Sequence, residues 1–238
     1  MTTTTPRIAV ASVVALASAF ALTGCVMVPV GPTVTDEHTV GDDVHGLRLE
    51  TSADIDVRLG DEPGLELRGP RGALDLLTVE EDDGVLVLGN TGPGFIIREV
   101  RATLIVTELD SVEIRGAGDV EAEFSAADAV TVSIDGAGDI EATGIDATDV
   151  EVEIRGSGDI ELTGTAASAS YLIAGTGDID ARKLEVQDAV AEIKGAGDIT
   201  LYASDTADTL IAGTGDITVR GGAEVTRRIN GLGEISEG

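Results

Sequence analysis

One tetrad recurs through the second half of the chain and limits what that chain can fold into. Gly116-Ala117-Gly118-Asp119 returns as Gly136-Ala137-Gly138-Asp139, Gly156-Ser157-Gly158-Asp159, Gly175-Thr176-Gly177-Asp178, Gly195-Ala196-Gly197-Asp198 and Gly213-Thr214-Gly215-Asp216. A last copy, Gly231-Leu232-Gly233-Glu234, carries Glu where the others carry Asp. With first glycines at 116, 136, 156, 175, 195, 213 and 231, the steps are 20, 20, 19, 20, 18 and 18 residues. A unit of this period can bury its apolar side only against its neighbours, and stacking such units makes a solenoid.

Aliphatic residues keep step with the tetrad. Two positions before the first glycine stand Ile114, Ile134, Ile154, Ile173, Ile193, Ile211 and Ile229. One position after the acid stand Val120, Ile140, Ile160, Ile179, Ile199, Ile217 and Ile235. A third column, Ala122, Ala142, Leu162, Ala181, Leu201 and Val219, is also apolar. Side chains alternate across a strand and parallel strands lie about 4.8 Å apart, so each Ile meets the Ile above and below. The chain has no Trp, 3 Phe and 2 Tyr, so its core is built from small aliphatic residues, as suits narrow β layers. The expectation is an all-β, parallel β-helix-like solenoid with 18–20-residue coils over residues 111–238, closed by a C-terminal cap at Arg227, Arg228, Asn230 and Glu234. Each coil reads as strand, Gly-x-Gly-Asp turn, strand and variable connection. The glycines suit a corner where a β-carbon would clash. A phosphate cradle would need one copy opening a helix, whereas here strands follow every copy.

Residues 42–110 read as a less regular β part of the same domain. Across residues 46–60, Leu47 and Leu49 take the places of Val112 and Ile114, and Asp54-Ile55 those of Asp119-Val120. This is a degenerate first copy, with Thr51 and Ala53 where glycines stand later. Residues 64–70 form a short strand stopped by Gly69-Pro70. Residues 76–81 and 85–88 flank Asp82-Asp83-Gly84, a hairpin signal because Asp-Gly supports the positive backbone angles of a tight turn. Residues 102–107 lead into the array as a strand.

The amino terminus carries an address. Residues 8–22 run apolar without a charge after Arg7, about the length of a signal-peptide core and too short for an ordinary spanning helix. They end in Leu22-Thr23-Gly24-Cys25, which matches the lipobox of bacterial lipoprotein signal peptides. Cys25 is the sole cysteine, so it has no disulfide partner within the chain. The expectation is a signal peptide over 1–24, lipidation at Cys25, and a flexible tether over 25–41. The protein is then lipid-anchored on the extracytoplasmic face of the cell membrane. Acyl chains supply the anchoring, at about 0.8 kcal/mol per buried methylene.

Charge excludes one partner class. Against 44 Asp+Glu stand 15 Lys+Arg, a formal net charge of -29, which repels nucleic acid and anionic head groups. The chain is nevertheless 42% hydrophobic in register, which separates it from acidic disordered sequences.

The acids of the tetrad, Asp119, Asp139, Asp159, Asp178, Asp198 and Asp216, form a ladder along one edge in such a stack. Unit charges about 5 Å apart repel by roughly 1 kcal/mol even in water, so a ladder needs compensation. Backbone N–H groups of each acid's own turn would supply it. A row of Ca²⁺ ions is the other compensation, although calcium-binding solenoids use a nonapeptide repeat and a Gly-Gly pair that this sequence lacks. Glu121, Glu141, Glu161 and Asp180 add a second acidic stripe, and Arg115, Arg155 and Lys194 intersperse on the preceding strands. No catalytic constellation accompanies them. His38 and His45 lie outside the array, and an Arg base such as Arg115 or Arg155 beside the acids is the only lyase-like arrangement that can be drawn.

The alternation around residues 47–59, the 65–69 strand, the Asp82-Asp83-Gly84 hairpin and the run Val112-Glu113-Ile114-Arg115-Gly116-Ala117-Gly118-Asp119-Val120 with its copies resemble the GIN-domain family, described as the putative auto-transporter adhesin head domain. The resemblance spans about residues 38–236. It implies a right-handed β-helix-like fold on an exported protein, often a lipoprotein, and brings no site residues. The expectation is surface display by lipid anchoring rather than self-secretion through an autotransporter barrel. The resulting expectation is a non-enzymatic envelope lipoprotein that presents its solenoid for adhesion or ligand binding. Its partners would be the membrane, through Cys25, and an envelope polysaccharide or another surface protein. The alternatives are a carbohydrate-active β-helix enzyme acting on envelope polysaccharide and a structural envelope spacer.

Overall fold

The computed structural model describes residues 31–91 and 100–238. The expected signal peptide, Cys25 and the first part of the expected tether lie outside the described residues. The rest is a β-solenoid of about six turns, with one short helical turn.

The regular coils come from strands β8 (Ser111–Ile114), β9 (Val120–Glu123), β10 (Ala126–Ile134), β11 (Ile140–Ile154), β12 (Ile160–Ile173), β13 (Ile179–Ile193), β14 (Ile199–Ile211), β15 (Ile217–Arg220), β16 (Glu224–Ile229) and β17 (Ile235–Glu237). Neighbouring coils pair in parallel, Ile on Ile: Ile114–Ile134–Ile154–Ile173–Ile193–Ile211–Ile229 on one face. On the other run Val120–Ile140–Ile160–Ile179–Ile199–Ile217–Ile235. The expected variable connections stay bonded as well. β11 to β14 run on through the second corner, since Asp146 pairs with Thr165 and Ala147 with Ala166. The third apolar column, from Ala122 to Val219, is buried throughout.

One inward position departs from the aliphatic rule. Tyr171 is fully buried in the column that holds Val152 below it and Ala191 above. Its coil carries Gly164 where the neighbouring coils have Ile145 and Leu184, and Ala169 where β11 has Val150. Small residues around one large one keep the volume of the coil near that of its neighbours. The Tyr171 hydroxyl has no hydrogen-bond partner among the described residues, and burial pushes its pKa upward.

The amino-terminal part joins the same stack, in an order that does not follow the chain. Strands β2 (Gly46–Leu49) and β3 (Asp54–Leu59) form the degenerate copy. They lie directly under β8 and β9, with Leu47 on Val112, Leu49 on Ile114 and Ile55 on Val120, the correspondence read from the sequence. Beneath them lies a coil that comes later in the chain, β6 (Val85–Asn90) and β7 (Arg101–Val106). The segment between, β4 (Gly64–Pro70), α1 (Arg71–Leu74) and β5 (Leu77–Asp82), turns back across that end. β4 is antiparallel to β7 and β5 antiparallel to β6, so antiparallel strands close the stack. The hairpin β5–β6 turns at Asp83 and Gly84, with φ of +50° and +79°.

The expected tether is corrected over part of its length. Thr33–Thr39 is a strand, β1, antiparallel to β4 from Thr33↔Pro70 to Thr39↔Gly64. It carries almost no apolar residue and no position of it is fully buried, so its composition resembles a linker. Backbone pairing with an otherwise open edge holds it in place.

Candidate functional site

The acid ladder is assembled by the corner that carries it. At Gly158 φ is +148°, and a β-carbon there would lie 1.9 Å from the carbonyl oxygen of Gly138 in the coil below. At Gly156 the backbone angle is ordinary, yet a β-carbon would again come 1.9 Å from the oxygen of Gly136. Both glycines are therefore demanded by coil-on-coil contact, and only Gly158 also by its dihedral angle.

This close stacking leaves one donor per corner without a backbone acceptor, and the carboxylate supplies it. Oδ1 of Asp119 accepts from the N–H of Asp139 at 3.0 Å. Asp139, Asp159 and Asp178 accept from the next acid's N–H at 2.8 Å each. Asp198 accepts from Asp216, and Asp216 from Glu234, at 2.7 Å. Asp54 of the degenerate copy extends the relay downward, accepting from Asp119 at 3.5 Å. The sequence-based expectation of capping within each acid's own turn is thus corrected: the acceptor sits one coil below the donor. A charged acceptor on an amide makes a stronger bond than a neutral one, and each such bond offsets the repulsion between neighbouring acids.

The second stripe stacks beside it, Glu121–Glu141–Glu161–Asp180, and then turns to hydroxyls at Thr200, Thr218 and Ser236. Between the two stripes runs an open groove of about 540 Å³. Its rims are carboxylates from Asp119 and Glu121 up to Asp178 and Asp180, and Arg182 closes one side. Lys183 Nζ lies 2.8 Å from Glu161, and Arg182 lies 2.6 Å from Asp180. Burial works to raise the Asp180 carboxyl, but the hydrogen bonds and charge of Arg182 outweigh it and hold the pKa below its ordinary value.

Chemically the groove offers regularly spaced acceptors. Each Asp has one oxygen committed to an N–H and one left for solvent or a ligand. Among the described residues no three His, Cys, Asp or Glu converge on one point as a metal cage. Calcium takes six to eight oxygens, which single free oxygens on successive coils do not gather. Arg115 and Arg155 are not poised as bases. Hydrogen bonds to Glu113, and to Asp135 and Glu153, raise both guanidinium pKa values further. His38 is an exposed residue of β1, and His45 Nδ1 lies 3.0 Å from Asp110; neither lines the groove.

The opposite corner holds a second ladder that was not read from the sequence. Asp149, Ser168, Asp188 and Thr206 stack in register, acid alternating with hydroxyl. Ser168 Oγ donates to Asp149 and Thr206 Oγ1 to Asp188. The signal was present as a period-two alternation of residue type down the column, visible only once the coils are aligned there.

Comparison with known proteins agrees with this architecture. The family model of the "putative auto-transporter adhesin, head GIN domain" matches residues 43–223. No curated protein is detectably similar in sequence. Among solved structures, a putative adhesin from Bacteroides fragilis NCTC 9343 superposes with a TM-score of 0.79 at 23% identity, covering 88% of this chain and 98% of that one. A putative adhesin from Parabacteroides distasonis ATCC 8503 gives 0.64 at 20% identity over 88% and 98%. A putative lipid binding protein from the same organism gives 0.64 at 22% identity over 87% and 97%. At these identities the likeness is one of fold.

Proposed function

Since the chain belongs to the family of the putative auto-transporter adhesin head GIN domain, we propose that it is a non-enzymatic binding protein of the cell envelope. It is anchored by lipid at Cys25 and uses the groove between its two acidic stripes to hold an extended partner. The observation that carries this reading is the groove itself: an open channel along successive coils, rimmed on both sides by carboxylates at one coil spacing. Such a surface engages a partner of repeating structure through many weak contacts, each a donor or positive charge from the partner on an acceptor here. An envelope polysaccharide with hydroxyl or amino donors, or a surface protein with a repeated basic face, has that chemistry. The names of the structural neighbours, adhesins and a lipid binding protein, are compatible with binding rather than turnover.

The rim can be changed without touching the corner. Glu141→Gln with Glu161→Gln removes two charges from outward positions of β11 and β12 and leaves the Asp relay intact. On a panel of envelope polysaccharides and whole cells, the full chain should bind a subset, and the double variant should lose about tenfold or more of that affinity. Binding that ignores the double variant would place the surface elsewhere. Cleavage of a panel polysaccharide would instead make the chain an enzyme. Mass spectrometry of the native protein tests the anchor, with an acylated amino terminus at Cys25 as the expected result.

A further inference from the structure

We propose that the C-terminal end of the solenoid, residues 217–238, docks a second copy of this chain through antiparallel pairing of the two β16 strands about Thr226. The two ends of the stack differ. Antiparallel β4 and β5 close the amino-terminal end, whereas among the described residues no coil lies over β16 and β17. Ile211 and Ile193 are 0% exposed, and Ile229 in the same column is 48% exposed. Leu232, in a column otherwise of Ala, Ser and Thr, is 71% exposed.

The backbone of this coil is also unsaturated. In the coil below, Gly215 N–H donates up to Leu232 O and Ile217 N–H up to Glu234 O. The equivalent donors here, on Gly233 and Ile235, have no backbone acceptor among the described residues. In β16, Asn230 N–H donates down to Ile211 O, so by the alternation of a parallel ladder the peptide groups of Val225, Arg227 and Ile229 face the open side.

The residues themselves mark this coil as an end. Arg227 and Glu237 occupy inward positions, above Thr209 and Val219, and hydrogen-bond to each other across the mouth of the core. A further coil of the same chain would bury that pair under apolar side chains.

A second copy fits because of charge. Residues 217–238 hold Arg220, Arg227 and Arg228 against Glu224, Glu234 and Glu237, so this coil is neutral within a chain of net charge -29. Two copies repel one another elsewhere and can meet here. Antiparallel pairing about Thr226 sets Val225 opposite Arg227 of the second copy, both with peptide groups facing outward. It also sets Glu224 opposite Arg228, twice by symmetry. Sliding two residues one way faces Arg227 with itself, and the other way faces Val225 with itself; neither register pairs opposite charges. A two-fold contact between open ends, with both far ends capped, closes as a dimer and cannot grow into a fibre. The coil offers about 20 residues a side, enough for a standard interface, but the central Arg227–Glu237 pairs must be enclosed, so the dimer is micromolar or weaker.

Sedimentation of the full chain in detergent, over a concentration series reaching about 100 µM, tests this. The expected result is a monomer–dimer equilibrium. Glu224→Arg should weaken it about tenfold or more, and the swap Glu224→Arg with Arg228→Glu should restore it. A merely unfolded variant would not be rescued by the second change. Thr226→Cys, lying on the two-fold axis where paired α-carbons approach to about 4.5 Å, should give an oxidised dimer linked 226 to 226. A chain that stays monomeric throughout overturns the proposal. So does a dimer that ignores Glu224→Arg, or one whose loss the swap does not repair.

Discussion

Two columns along the solenoid carry acids, one at the Gly-x-Gly-Asp corner and one at Asp149 and Asp188, and they handle them differently. At the Gly-x-Gly-Asp corner an acid stands on every coil, from Asp119 to Glu234, and each from Asp119 to Asp216 accepts the main-chain N–H of the acid above. At the other corner Asp149 and Asp188 alternate with Ser168 and Thr206, which donate to them. Of these two columns, only the one to which the backbone itself donates stacks its acids without a break. Where the backbone is already paired, a hydroxyl separates the acids instead. The acid column of the Gly-x-Gly-Asp corner is thus explained by a backbone donor at that corner before it is evidence of a ligand.

The largest effect should follow from breaking the first corner at its glycine. Gly158→Ala sets a β-carbon 1.9 Å from the Gly138 oxygen, in a backbone conformation at φ +148° that only Gly adopts readily. Strain and displacement together should cost about 3–5 kcal/mol, read from denaturant midpoints. Ser157→Ala, at the exposed position between Gly156 and Gly158, should change stability by less than about 0.5 kcal/mol. A Gly158→Ala protein as stable as its parent would mean that the coils can slide apart at little cost.

Next comes the acid. Asp159→Ala leaves the Asp178 N–H without its 2.8 Å acceptor, at an exposed site where water partly replaces it, so a loss of about 1 kcal/mol is expected. Asp159→Asn retains an oxygen for that N–H and removes one charge from the column, and should fall within about 0.5 kcal/mol of the parent. At the other corner Asp188→Ala releases only the Thr206 hydroxyl to water and should be nearly silent, under about 0.5 kcal/mol. Equal losses for Asp159→Ala and Asp188→Ala would erase the distinction between the corners.

What could be read beforehand follows from what repeats. The two Ile columns, the third apolar column and the placement of Leu47, Leu49 and Ile55 under Val112, Ile114 and Val120 are all in the sequence, because parallel stacking forces like onto like. The turn at Asp83-Gly84 was legible because it needs a local backbone geometry. The position of the β6–β7 coil beneath β2–β3 was not, since coil order at that end depends on which strands meet in space and leaves no local mark. Nor was β1, which is held by backbone bonds and has no apolar face to announce it. The acid ladder was legible as a column, but not in the direction of its bonds. Bonding within a turn and bonding between coils require the same residues. Arg227 and Glu237 were separated by ten positions and became a pair only when the last coil closed.

Calcium gives the smallest expected effect and the sharpest use of the comparison. Screening alone should stabilise a chain of net charge -29 as any salt is added, at both corners alike. A specific site of about 1 mM affinity would add, at 10 mM Ca²⁺, roughly 1.4 kcal/mol. With one oxygen of each ladder Asp held by an N–H and no three ligands converging among the described residues, that increment should be missing. Thermal midpoints in Ca²⁺ and Mg²⁺ at matched ionic strength should therefore coincide. A rise confined to Ca²⁺ and abolished by Asp159→Asn would show that the free carboxylate oxygens act together across coils. The Gly-x-Gly-Asp corner would then hold ions as well as close a backbone ladder.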